Sequence, residues 1–238
     1  MELNITLVFT LGVTILGLWV LYRSRRRHHQ AISALEGATL RLSLDLLQAL
    51  QRHRGLGAQQ DAWSCERRAE LAEQLNRLWQ EWPAEALHLP PLQLDWPPLL
   101  RKPADFSAHC RLIDNLIGII ERLEDHLTQG GHRRLRGFGQ SCRALEDLAR
   151  LRGLATRAAN YAHCPVGLKM QIRFLCQRLR QPGTSESQLA LMDHLEQALI
   201  DTPRITLTPQ HCFSLVTPLI DKRLHELRHV LSQAVNSD

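Results

Sequence analysis

The chain has 238 residues, of which 44% are hydrophobic, 22% charged and 5% aromatic. This composition excludes collagen-like, low-complexity and wholly disordered classes, and it suffices for one large domain or two small ones. The charge count is 29 basic against 24 acidic residues, but four of the positive charges are Arg23, Arg25, Arg26 and Arg27, and without them the remainder carries only +1. No nucleic-acid footprint is left. There are 45 leucines and few valines or isoleucines, a bias that favours helices over sheets. Six cysteines stand at 65, 110, 142, 164, 176 and 212, none in a C-x-x-C pair. Zinc-finger spacing is therefore absent, and scattered cysteines fit a reducing compartment, where they serve as small core residues.

Residues Leu3 to Tyr22 read LNITLVFTLGVTILGLWVLY, without a charge. About 20 such residues are enough to cross the hydrocarbon core as one helix. Trp19 and Tyr22 belong at an interface, and the basic residues 23–29 follow at once. Residues 1–22 are therefore expected to be a single-pass anchor, with the N-terminus outside and the body in the cytoplasm of a bacterial inner membrane. A cleaved signal peptide would want a basic n-region and a small-residue cleavage site, and neither is present.

Beyond the anchor, Leu35, Leu42, Leu46 and Leu50 recur at helical spacing, and no proline interrupts before Asp61. The first helix is thus expected to continue out of the span. Asp61 caps a second helix with Leu71, Leu75, Leu78 and Trp82, which Pro83 stops. Residues 83–103 hold six prolines and form a connection. A third helix is predicted over about 105–129, ended by Gly130-Gly131, and a fourth over about 132–162. A fifth runs from Pro165 to about Arg180, and a sixth from a cap at Thr184 or Ser185 to Asp201. A final helix carries Phe213, Val216, Leu219, Ile220, Leu224, Leu227, Val230 and Leu231. Nothing alternates with period two, so the fold class is all-α, with antiparallel helical bundles.

The segment LLQALQRHRGLGAQ from Leu46 repeats in ALEDLARLRGLATR from Ala144, at an offset of 98 residues. Two related helical units follow, one over about 30–130 and one over about 131–238. At about 100° per residue, Arg54 lies about 40° from Leu50, whereas Arg52 lies about 200° away. Arg152 and Arg150 stand in the same relation to Leu148. Arg54 and Arg152 thus border the apolar seam, while Arg52 and Arg150 point outward. Gly55 and Gly153 each remove a side chain where another helix or a ligand can approach. An arginine at a seam keeps its proton and needs an anionic partner: a protein carboxylate, water at the seam edge, or a small anion. Otherwise the two side chains lay their stems along the core and reach water.

The stretch Leu50-Gln51-Arg52-His53-Arg54-Gly55-Leu56 resembles the signature of the NIT (nitrate- and nitrite-sensing) domain family, which has Leu-Gln-Arg-Glu-Arg-Gly-Leu there. His53 replaces the acidic residue, and Gly57 the usual small polar one. Leu148 to Leu154 resembles the family's second arginine-bearing helix. The resemblance implies an all-α sensor domain over residues 30–238, built as two four-helix bundles. It implies nitrate or nitrite bound between long helices, with Arg54 and Arg152, beside Gly55 and Gly153, as the ligand-contacting residues.

The other candidates are weaker. His109-Cys110, His163-Cys164 and His211-Cys212 read as buried cysteines beside surface histidines rather than metal ligands. Asp95-Trp96-Pro97-Pro98 reads as a packed cover, and Glu121, Glu124 and Asp125 as a solvated face. No phosphate-binding loop, dinucleotide-binding glycine set, nucleophile elbow or kinase motif occurs. The expectation is a membrane-anchored sensor of a small anion, not an enzyme and without a cofactor. It would signal through a separate output protein or a homodimer and bind no nucleic acid. The alternative is a membrane-tethered helical scaffold that takes no ligand.

Overall fold

The structure, a computed structural model, describes residues 2–181 and 184–235, with side chains from Leu18 to Ala234. The described residues form helices and no strand. These are α1 (Glu2–Leu56), α2 (Ala62–Gln80), α3 (Trp96–Arg101), α4 (Phe106–Gln129), α5 (Phe138–Ala158), α6 (Val166–Leu179), α7 (Glu186–Leu199) and α8 (Pro209–Val235). The first helix does run on without interruption from Glu2 to Leu56. Most of the expected span Leu3–Tyr22 lies outside the residues whose side chains are described. Among the described residues no helix is long and apolar enough to cross a membrane.

Local chemistry sets the helix ends. Asp61 accepts from the Ser64 amide and Asp105 from the Ala108 amide, each filling one of the donors a helix start leaves open. The fourth predicted helix begins later than expected, at Phe138. Gly137 sits at φ +83°, and the Glu124 carboxylate takes the amides of Gly137 and Gly139, so the chain turns there. Glu124 is thus a cap rather than a solvated residue. Glu121 forks onto Arg143, which holds its carboxyl below the usual range, and of this trio only Asp125 is simply exposed. The proline-rich connection folds into α3 and a preceding 3-10 turn. Trp96 is buried there and donates through Nε1 to Asn76 Oδ1 at 2.8 Å.

Helices α1, α4, α5 and α8 share one core. Pairing shows their directions. Glu36 meets His126 and His53 meets His109, so α1 and α4 are antiparallel. Asp114 meets Arg150 and Glu121 meets Arg143, so α4 and α5 are antiparallel. Asp45 meets Arg228 and Arg52 meets Asp221, so α1 and α8 are antiparallel. The two repeat-bearing helices, α1 and α5, therefore run the same way and bring their Arg-Gly segments to one level of the core. Helix α2 covers α1, while α6 and α7 cover α5.

Candidate functional site: two buried guanidinium groups

Arg54 and Arg152 both lie inside the core, 3% and 0% exposed. Arg52 and Arg150 stay half-exposed on ion pairs with Asp221 and Asp114. Neither inner arginine reaches water along its stem.

Their partners differ. Arg54 makes a two-pronged contact with Glu146, Nη1 to Oε1 at 2.5 Å and Nη2 to Oε2 at 3.0 Å. Gln51 Nε2 donates to the same carboxylate at 3.0 Å, and Arg150 Nε donates to it at 3.2 Å. Burial alone would lower the Arg54 pKa, but the Glu146 carboxylate more than offsets it, and the net shift is upward. Arg152 has only neutral acceptors. Nη1 donates to Thr217 Oγ1 at 3.2 Å and Nη2 to the Gln51 carbonyl at 3.1 Å. No carboxylate among the described residues pairs with it. Burial, with the Arg54 and Arg52 guanidiniums nearby, pushes its pKa down to about 9 against the smaller opposing pull of the Asp221 and Glu146 carboxylates, so it stays charged at neutral pH. The Nε–H groups of both inner arginines and Oε1 of Gln51 are buried without a hydrogen-bond partner.

The glycines explain how the rings arrive. A Cβ on Gly55 would stand 2.8 Å from the Phe213 ring and 3.6 Å from Arg152 Nε. A Cβ on Gly153 would stand 2.6 Å from the Phe106 ring. Phe213 stacks under Arg152 at 4.3 Å, and Phe106 lies 5.1 Å from Arg54. Each glycine therefore admits the ring that the other repeat's arginine packs on, where favourable cation–π contact partly replaces lost hydration. What the glycines let close is an aromatic side chain in both cases.

Sequence reasoning missed Glu146, Phe106, Phe213, Thr217 and the Gln51 carbonyl. For Glu146 a signal existed: it shares the helical face of Cys142, Ala149 and Gly153, all buried. A carboxylate on an apolar face asks for a buried cation. At His109-Cys110 the structure reverses the expected placement: His109 is fully buried and Cys110 is partly exposed. His109 Nδ1 donates to the Asp105 carbonyl at 2.7 Å, which leaves Nε2 to accept from His53 Nδ1 at 2.9 Å. His53 also meets Trp96 edge-on. Burial, then His109 and Arg68, push the His53 pKa down to about 3, and burial lowers that of His109. Among the described residues no three His, Cys, Asp or Glu side chains are arranged to hold a metal. A cleft of about 1030 Å³ opens elsewhere, beside Glu36 in the middle of α1 and His126 near the end of α4.

Comparison of the chain with protein-family models, with curated proteins and with solved structures finds no match to any of them.

Proposed function

We propose that the chain is a membrane-anchored sensor of a small monovalent anion, nitrate or nitrite in kind, with Arg152 as the principal contact and Arg54 as the second. The observation that carries this reading is a charge imbalance. The buried cluster holds two guanidiniums and one fully buried carboxylate, and that carboxylate is already forked on Arg54. A buried charge without a counter-charge is strongly unfavourable. A single negative charge beside Arg152 removes the imbalance. A planar oxyanion offers oxygen pairs to guanidinium N–H groups, and the Nε atoms of Arg54 and Arg152 are buried in the cluster with no acceptor. The resemblance of the Arg-Gly segments to the NIT family points to the same ligand class.

Because the site is closed, an anion enters only when α1, α5 and α8 part. Binding thus favours one arrangement of those helices over another, which is the differential affinity a switch needs. The continuous α1 then carries the change toward residues 3–22, which we take as the span, with the soluble body in the cytoplasm and a separate protein receiving the signal.

The full-length chain in detergent or nanodiscs, melted in nitrate, nitrite, chloride and sulfate at equal ionic strength, tests the ligand. At about 100 times its Kd an anion adds about 2.7 kcal/mol of stability. A nitrate- or nitrite-selective rise that persists in Arg52→Ala and vanishes in Arg152→Met is expected. No selective rise, or a rise unchanged in Arg152→Met, overturns the reading. Alkaline extraction of cell membranes, with protease protection of an N-terminal tag, tests the anchor. The second reading, a tethered helical scaffold, is favoured by one observation: Glu146 already occupies the fork of Arg54. Partner binding that ignores every anion would establish it.

A further inference from the structure

Arg54, Arg152 and Glu146 are buried together, two positive charges with one negative. The charges at their rim are paired among themselves: Arg52 with Asp221 at 3.1 Å, Arg150 with Asp114 at 3.0 Å and Asp147 with Arg178 at 2.9 Å. Two further cations stand on partly exposed side chains, where water screens them. Arg157 lies 5.3 Å from the Phe106 ring, and Arg68 donates to the carbonyls of Leu56 and Gln59. The neighbouring His53, His109 and Cys110 add no charge at neutral pH, because burial lowers both histidines and raises the thiol. Inside the core one positive charge is therefore in excess.

The three buried charges form one site. Gln51 donates through Nε2 to Glu146 at 3.0 Å, and its carbonyl accepts from Arg152 at 3.1 Å, so a single residue touches both ends. Glu146 also takes the whole fork of Arg54. This matters for an incoming anion, since the Born cost of leaving water grows with the square of the charge. A divalent oxyanion loses far more hydration than a monovalent one, and it needs two uncancelled cations to offset the loss. With Glu146 in place the core offers one.

We propose that Glu146 is the specificity-determining residue of the anion site: its charge admits a monovalent anion and rejects a divalent oxyanion such as sulfate. The inference rests on the anion site proposed above. Glu146 acts through Arg54, whose charge it cancels and whose paired N–H groups it occupies, and so sets an unfavourable excess of negative charge against the divalent competitor. Glutamine in its place has the same size and keeps an acceptor oxygen, so that exchange alters the charge and little of the shape.

Equilibrium dialysis of the full-length chain against nitrate and against sulfate, with each anion assayed by ion chromatography, tests this. The parent chain should hold nitrate in preference to sulfate. Glu146→Gln should reverse the order, a change in the ratio of the two affinities of about tenfold or more. Glu146→Asp keeps the charge and should prefer nitrate as the parent does. Thr217→Glu covers the case in which Glu146→Gln does not fold. It sets a second carboxylate beside Arg152, cancels the excess charge, and should weaken nitrate binding about tenfold or more. Thr217→Gln, equal in size but uncharged, should keep it. A Glu146→Gln chain that still prefers nitrate, a Glu146→Asp chain that prefers sulfate, or a Thr217→Glu chain with the parent's nitrate affinity overturns the proposal. A parent chain that holds no nitrate overturns the anion site itself, and this inference with it. Nitrate held by the parent, with its preference unmoved in Glu146→Gln, overturns this inference alone.

Discussion

Arg54 and Arg152 sit in matching segments of α1 and α5, at the same depth, each on a phenylalanine ring, yet only Arg54 is hydrogen-bonded to a carboxylate. The repeat shows why. Glu146, which forks onto Arg54, has Gln48 as its equivalent 98 residues earlier, and Gln48 lies near the surface accepting from Arg228. The equivalent position holds an amide turned to Arg228 rather than a carboxylate turned to the core. The first half is thereby a closed ion pair, and the second keeps an unbalanced charge. In a low-dielectric core such a difference separates a structural contact from a site that gains by taking up an anion.

The sharpest way to break the comparison is to strip each arginine in turn. Glu146→Gln should strand Arg54, and Arg54→Met should leave the buried Glu146 only its contacts from Gln51 and the half-exposed Arg150. Each should lower the unfolding free energy by about 3–5 kcal/mol in urea titrations, the usual cost of orphaning one member of a buried pair. The glycines come next. Gly55→Ala and Gly153→Ala should each cost about 1–3 kcal/mol, because a rigid ring must shift away from the new methyl group. Equal stability of Gly153→Ala and the parent would show that Phe106 is not seated there.

Acid should act on the first half through His53. His53 is neutral when folded, with its pKa at about 3, whereas an unfolded histidine takes up a proton below about pH 6.5. Its contribution is complete above about pH 6.5 and is lost as the pH falls toward 3. Between pH 7 and pH 5 the loss from His53 amounts to about 2 kcal/mol. The equivalent position in the second half is Leu151, fully buried. His53→Leu should therefore flatten the dependence of urea midpoint on pH, and a curve unchanged by it would place the titration elsewhere. The smallest effect belongs to Arg152→Met. Removing an uncompensated buried cation should leave stability within about 1 kcal/mol of the parent, or raise it. A loss as large as that of Arg54→Met would mean that Arg152 already has a strong partner.

Much of the architecture was legible in the chain. Leucine at helical spacing, Asp61 as a cap, and Gly130-Gly131 as a stop marked helices close to where they occur, because these signals act within a few residues of themselves. The helical angle between Arg52 and Arg54 separated an outer from an inner arginine for the same reason. The late start of α5 was not legible. It depends on Glu124, thirteen residues before Gly137, folding back to take the amides of Gly137 and Gly139. The burial of His109 was hidden likewise, since it needs His53 from another helix.

The sequence by itself determined that this is a helical protein in which two repeated Arg-Gly segments turn one guanidinium each toward an apolar seam. Periodicity and local turn chemistry carry that much. Only the tertiary structure decided that one guanidinium meets a carboxylate and the other meets a hydroxyl and a carbonyl. Partners are chosen across helices, at sequence separations of 92 residues for Arg54 with Glu146 and 101 for Arg152 with Gln51. No local pattern reports a contact that the packing of α1 against α5 and α8 creates.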